Sequence, residues 1–282
     1  MKKQYSLHNI IDQNICPFNE NEYSRFKFGD TYYAKKFAYN LFQGFIEKYG
    51  SNILEQNEIV LFPSPYLSIP TASNFLGSYF KEQLNIYLFD NNKPACKDGK
   101  IHRKQTYSAD YGNMNYEERL NLISKDTYYI DKTFVNNKFC IFIDDIKITG
   151  SHERTVDKIL KDYEIEGEFI FVYYAELTNS TIHPSIENYY NYFSVKTVFD
   201  LLEIIKSKSF RFNTRIVKYI LMMNDLDFEI IILNISNKQI EKLFHLAISN
   251  NYHQMTEYVQ NIKKLKTKLL WQSTCKKGKE KV

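Results

Sequence analysis

Asp144 and Asp145 are adjacent carboxylates that follow the apolar run Phe139-Cys140-Ile141-Phe142-Ile143 and precede Ile146-Lys147-Ile148-Thr149-Gly150-Ser151-His152-Glu153. Neighbouring carboxylates repel, a cost relieved by hydrogen bonds from sugar hydroxyls or by a nearby divalent cation. The Thr-Gly-Ser turn adds two hydroxyls and a backbone that can approach an anion closely, since glycine has no Cβ. Val156, Ile159, Leu160 and Tyr163 recur at helical spacing, so a helix is expected to start just after Ser151. Its first N–H groups and the positive end of its dipole would face the same turn, which suits a phosphate. Consecutive apolar residues from 139 to 143 predict a strand covered on both faces, as in a parallel sheet. The acidic pair is then expected at the strand's carboxyl end, the edge where open α/β sheets bind ligands.

The apolar run, Asp-Asp, three less specific positions and Thr-Gly-Ser together resemble the diphosphosugar signature of type I phosphoribosyltransferases. The resemblance implies that Asp144 and Asp145 contact the ribose hydroxyls of phosphoribosyl diphosphate (PRPP), with Mg2+ held at the pair directly or indirectly. It further implies that Lys147, Thr149, Gly150, Ser151 and His152 complete the PRPP contacts, the loop cradling the 5-phosphate. Ile148 departs from the family pattern, in which many members have threonine and purine-using members an aspartate near the base. That departure argues against a purine-type general base in this loop. Asp-Asp after an apolar strand also occurs in receiver domains, haloacid-type phosphatases and plain strand-to-turn junctions. An aspartate-based phosphatase would use a carboxylate nucleophile and release phosphate.

Upstream, the strand Glu58 to Phe62 ends in the Pro63-Ser64-Pro65-Tyr66 turn, and Pro70-Thr71-Ala72-Ser73-Asn74 opens a helix. This unit stands where the family places its pyrophosphate loop, and its Pro-x-Pro turn is similar to the competence-protein-F-like branch, including versions associated with bacterial tellurite- and stress-response gene clusters. Ser64, Tyr66, Thr71 and Ser73 are therefore candidate pyrophosphate contacts, although that branch has Arg-Gly near the helix start. Simple helix capping explains Thr71 and Ser73 equally well. Between the two units, residues 101 to 121 read as a polar, tyrosine-rich active-site loop, with Arg103, Lys104 and Arg119 as candidate diphosphate contacts or as solvated surface charges. Tyr23 to Asp30 mixes bases and aromatics. Arg25 and Phe26 are candidates for a base-binding hood, with an arm packed on the core as the plainer alternative.

The elements that must position these residues alternate. Strands are expected at 58–62, near 86–89, at 127–130, 139–143 and 169–175, with helices at 71–84 and 152–163 and a loop and helix before 124. Asp30 and Thr31 cap a further helix whose apolar stripe runs from Ala34 to Tyr49. The expected fold is α/β: a mostly parallel sheet with helices on both faces, plus a helical C-terminal region. Residues 1–55 form an N-terminal helical or hood segment, 56–180 the phosphoribosyltransferase-like core, and 181–282 helices ending in a disordered basic tail from Lys276.

With 282 residues and 44% hydrophobic content, the chain can bury one substantial core and an appendage. A net charge of +4 lacks the concentrated basic face of a nucleic-acid binder. Four cysteines without Cys-x-x-Cys spacing suggest neither a zinc site nor a disulfide scaffold, and no apolar run reaches membrane-span length. A reducing, cytoplasmic setting follows. The family resemblance implies an enzyme that transfers ribose 5-phosphate between PRPP and a nitrogenous base, using PRPP or a nucleoside 5-monophosphate, with homodimerisation left open. The alternative is a non-catalytic PRPP or nucleotide sensor with a helical output module.

Overall fold

The computed structural model describes residues 3–103 and 128–279. Its sheet is five-stranded and parallel throughout, built from β1 (Lys3–Ile10), β2 (Ile59–Pro63), β3 (Lys97–Asp98), β6 (Lys138–Lys147) and β7 (Gly167–Leu177), in the order β1-β7-β6-β2-β3. A separate antiparallel pair joins β4 (His102–Arg103) to β5 (Tyr128–Tyr129). One face of the sheet is covered by α2 (Thr31–Leu54) and α3 (Ala72–Asp90), which bury Phe37, Leu41, Phe45, Leu76 and Phe80 against Leu61, Ile141, Ile143 and Val172. On the other face α5 (Ser151–Asp162) packs Val156, Ile159 and Leu160 on Phe62, Phe142 and Phe171. The short α4 (Lys132–Val135) leads into β6. Helices thus lie on both faces of a parallel sheet, as expected.

Two expectations change. The apolar stretch around residues 86–89 belongs to α3, because Phe80, Leu84 and Leu88 face the core at four-residue spacing while Ile86 and Phe89 are left 56% and 78% exposed. The N-terminus, expected to be helical, first supplies the edge strand β1. Its Tyr5 and Leu7 pack on the core while Gln4 and Ser6 donate hydrogen bonds to Glu176.

The C-terminal region is helical: α6 (Ile186–Asn191), α7 (Val198–Lys206), α8 (Thr214–Leu221), α9 (Asp225–Asn234), α10 (Asn237–Ser249) and α11 (Thr256–Lys279). The backbone remains helical through Lys279, where a disordered tail from Lys276 was expected. These helices enclose a hydrophobic cluster of their own, into which the other part of the chain inserts Phe28 and Ile69. Phe28 meets the rings of Tyr192 and Tyr219 edge-on at 5.4 and 5.3 Å. Next to it, Gly29 adopts φ +94°, and a Cβ there would lie 2.2 Å from the Arg211 carbonyl oxygen, so only glycine fits. Asn213 Nδ2 donates to the Lys27 carbonyl at 3.0 Å, and Arg211 N donates to the Gly29 carbonyl at 2.9 Å. The helical region therefore fixes α1 (Glu20–Lys27) at its C-terminal end.

Candidate active site

β6 does not stop before the acidic pair but runs through it to Lys147. The two carboxylates meet different partners while staying within hydrogen-bond reach of each other. Asp145 is 5% exposed, accepts a hydrogen bond from Tyr23 OH at 2.9 Å and is ion-paired with Lys27. Asp144 has its Oδ2 3.3 Å from His152 Nδ1, outside hydrogen-bond geometry, and interacts with the Ser64 hydroxyl. Burial, the charge of Asp145 and their mutual hydrogen bond push the Asp144 carboxyl well up, with Lys27 and Ser64 only partly offsetting. Burial acts on Asp145 as well, but the Lys27 charge and hydrogen bonds from Lys27, Asp144 and Tyr23 outweigh it and hold that carboxyl below its ordinary range. Near neutral pH the charge of the pair therefore sits on Asp145. Burial also lowers His152 to about 4 against an opposing push from Asp145, so its imidazole is neutral at pH 7.

After β6, Gly150 turns the chain at φ +69° and occupies the N-cap position of α5, where it has no side chain to cap the helix. The Thr149 hydroxyl, His152 Nδ1 and the Tyr173 hydroxyl nearby are buried and without hydrogen-bond partners among the described residues. Tyr173 stands beside Asp144 in the sheet register. Buried polar atoms in this state carry a desolvation cost, and here they surround a helix N-terminus of the kind that binds anions.

These residues line a cavity of about 930 Å³. The sequence-predicted Asp144, Asp145, Lys147, Thr149, Gly150, Ser151, His152, Ser64, Thr71, Ser73 and Arg103 all contribute to its wall. Lys147 does so without its ammonium, which is held by Gln4 at 2.5 Å, Glu153 at 2.8 Å and Glu176 at 3.2 Å. Thr71 and Ser73 share a hydrogen bond of 2.9 Å, and Asn74 Oδ1 accepts from Thr71 N at 2.6 Å and from the Thr71 hydroxyl at 2.9 Å. These hydroxyls are thus engaged with one another and with Asn74 at the start of α3.

A family model described as PRTase ComF-like matches residues 1–265. The chain belongs to the ComF-like phosphoribosyltransferase family. Among solved structures, a hypoxanthine phosphoribosyltransferase from Staphylococcus aureus is similar at 8% identity and TM-score 0.32, over 51% of this chain and 74% of that one. A second crystal form of the enzyme gives 9% identity and TM-score 0.27, over 50% and 75%. No curated protein matches the chain significantly.

Three expectations for this phosphoribosyltransferase-family chain are corrected. Arg25 turns to Glu203 at 2.6 Å and Asp30 at 3.5 Å, and Phe26 is 2% exposed in the core, so neither lines the cavity. Tyr66 lies outside the wall, with Lys100 Nζ 4.8 Å from its ring centroid and its backbone bridged to His102. Asp144 and Asp145 do not form a direct cage for a metal ion, because they are hydrogen-bonded to each other and Asp145 is already neutralised by Lys27. No group of three or more metal-ligating side chains occurs among the described residues. Lys104 and Arg119 lie outside the described residues.

Residues the sequence reading missed include Tyr23 and Lys27. They are four apart in α1 and share one helical face, a spacing that would have singled them out over Arg25 and Phe26. Glu187, Asn188, Arg215, Lys218 and Tyr219, all from the helical region, also line the cavity, and nothing in their local sequence marks them. Among the described residues, no helix is long and apolar enough to cross a membrane.

Proposed function

We propose that the chain binds PRPP or a nucleoside 5-monophosphate in this cavity and transfers ribose 5-phosphate between PRPP and a nitrogenous base, releasing pyrophosphate or running in reverse. The observation that carries this reading is the uncapped N-terminus of α5, with the Thr149 and Tyr173 hydroxyls unpartnered beside it, opening into the same cavity as Asp144 and Asp145. The helix end takes the 5-phosphate. Asp144, protonated or sharing a proton with its neighbour, and Asp145 orient the ribose by its hydroxyls. The bond from C1 to pyrophosphate oxygen breaks, its electron pair leaving with pyrophosphate, as the bond from C1 to the base nitrogen forms through an oxocarbenium-like carbon and the proton of that nitrogen passes to the departing diphosphate. Arg103, in the wall, stabilises the negative charge that gathers on the departing pyrophosphate. Since the carboxylates do not fit a bare ion, Mg2+ is assigned to the ligand's diphosphate and not to the protein. The setting is cytoplasmic nucleotide metabolism.

One observation favours a non-catalytic sensor instead: the Thr71, Ser73 and Asn74 side chains bond one another where the family's pyrophosphate loop would bind its ligand. Incubation with PRPP, magnesium and a panel of nucleobases, followed by pyrophosphate release, separates the two. Turnover that disappears in Asp144→Asn combined with Asp145→Asn is the expected result. Tight PRPP binding with no turnover on any base would select the sensor, and phosphate release from simple phosphate esters would contradict both.

A further inference from the structure

The cavity extends past the sugar-phosphate cradle. Its volume of about 930 Å³ sits near the top of the range of about 300–1,000 Å³ typical of small-molecule sites, leaving room beyond a phosphate and a ribose. The far wall is contributed by α6, α8 and the turns beside them, through Asn188, Tyr192, Arg215, Lys218, Tyr219 and Met222. Flat, polarisable surfaces dominate it. The Tyr192 and Tyr219 rings lie 5.8 Å apart at 42°, and the Arg215 guanidinium is 5.5 Å from the Tyr192 centroid. One edge-reading group stands beside these planes: Asn188 Oδ1 is buried with no hydrogen-bond partner among the described residues. A donor that reaches this oxygen from the cavity would recover its desolvation cost. The cations Arg215 and Lys218 share the wall with Glu187 and Asp227, a mixed charge that suits an uncharged heterocycle better than a strongly anionic one.

We propose that the helical C-terminal region builds the acceptor subsite, taking a planar nitrogen heterocycle that stacks against Tyr192, Tyr219 and Arg215 and gives an N–H to Asn188. This rests on reading Asp144 to His152 as a ribose 5-phosphate site. The hood is then supplied from behind the α/β core by the part of the chain that also anchors Lys27, in place of the N-terminal Arg25 and Phe26.

The test is calorimetric titration of the full chain with ribose 5-phosphate and with AMP, GMP, IMP, CMP and UMP. At least one nucleotide should bind about tenfold or more tightly than ribose 5-phosphate, a gain of about 1.4 kcal/mol. Asn188→Leu should remove that advantage while leaving ribose 5-phosphate affinity within about twofold. Met222→Glu, at a position 59% exposed and so of the surface kind whose substitution costs little stability, should do the same. Nucleotides that bind no better than ribose 5-phosphate, or an advantage that survives both substitutions, would overturn the acceptor subsite and leave the sugar-phosphate site standing. Failure of ribose 5-phosphate itself to bind would remove both.

Discussion

Two helix N-termini open toward one cavity, and the chain treats them differently. α3 begins at Thr71-Ala72-Ser73 and closes its own end, with Thr71, Ser73 and Asn74 bonded to one another and Asn74 Nδ2 donating to the Ser64 carbonyl at 3.1 Å. α5 begins after Thr149-Gly150-Ser151 and leaves its end open, with the Thr149 hydroxyl unpartnered. In sequence the two stretches are nearly the same chemistry, small hydroxylated residues ahead of a helix. The difference is made by what replaces the N-cap side chain. Threonine with Asn74 three residues on completes a capping box, whereas Gly150 can only turn the backbone. Hydroxyls before a helix are therefore evidence of a ligand site only when no capping partner sits downstream.

The foundation under the open end can be attacked first. Lys27→Met leaves Asp145 charged, buried and without its cation, and breaking a buried pair in this way costs about 3–5 kcal/mol. Urea unfolding should show that loss, and a change below about 1 kcal/mol would mean the pair does not brace the loop. Lys27→Met with Asp145→Asn should recover most of the stability, since no charge is then stranded.

Acid probes the same end. His152 is lowered to about 4 from an ordinary value near 6.5, so the unfolded chain binds its proton first. Its contribution to stability is complete above about pH 6.5 and declines as pH falls, the full loss of about 3 kcal/mol being reached near pH 4. Asp145, also depressed, loses stability in the same direction, while the raised Asp144 opposes both. Lowering the pH from 7 to 4 should shift the thermal midpoint of His152→Gln upward relative to that of the parent chain. An unchanged difference between the two midpoints would place His152 in water.

Gly150→Val forces a β-branched residue into φ +69°, a strain of about 1–3 kcal/mol that falls on the open end. Ribose 5-phosphate affinity should drop roughly tenfold or more. The closed end should respond in the opposite way: Thr71→Ala removes a cap and costs about 1 kcal/mol of stability, with PRPP affinity changed less than about threefold. Equal losses of affinity in the two variants would erase the distinction between the ends.

What could be read from sequence was local. The turn at Thr149-Gly150 ahead of α5, the capping of α2 by Asp30 and the alternation of β6, α5 and β7 depend on residues a few positions apart, and each is found in the structure. The extension of β6 through both carboxylates to Lys147 was hidden because it lies past the point where the apolar pattern ends. The partnership of Lys27 with Asp145 spans 118 positions and leaves no periodic trace. β1 carried a real signal, Tyr5 and Leu7 alternating with Gln4, Ser6 and His8, but its polar residues bond across to β7 and so look like a loop. The cavity wall from α6 and α8 was illegible for a further reason. Its members belong to helices whose apolar stripes are spent on their own cluster, so the cavity-facing residues read as ordinary helix surface.

The most direct test of the account is titration of the chain with ribose 5-phosphate and with ribose, alongside Gly150→Val and Thr71→Ala. The account predicts saturable binding of ribose 5-phosphate, little or none of ribose, loss of binding in Gly150→Val and retention in Thr71→Ala. Ribose binding as well as its phosphate, or ribose 5-phosphate binding unaffected by Gly150→Val, would contradict it.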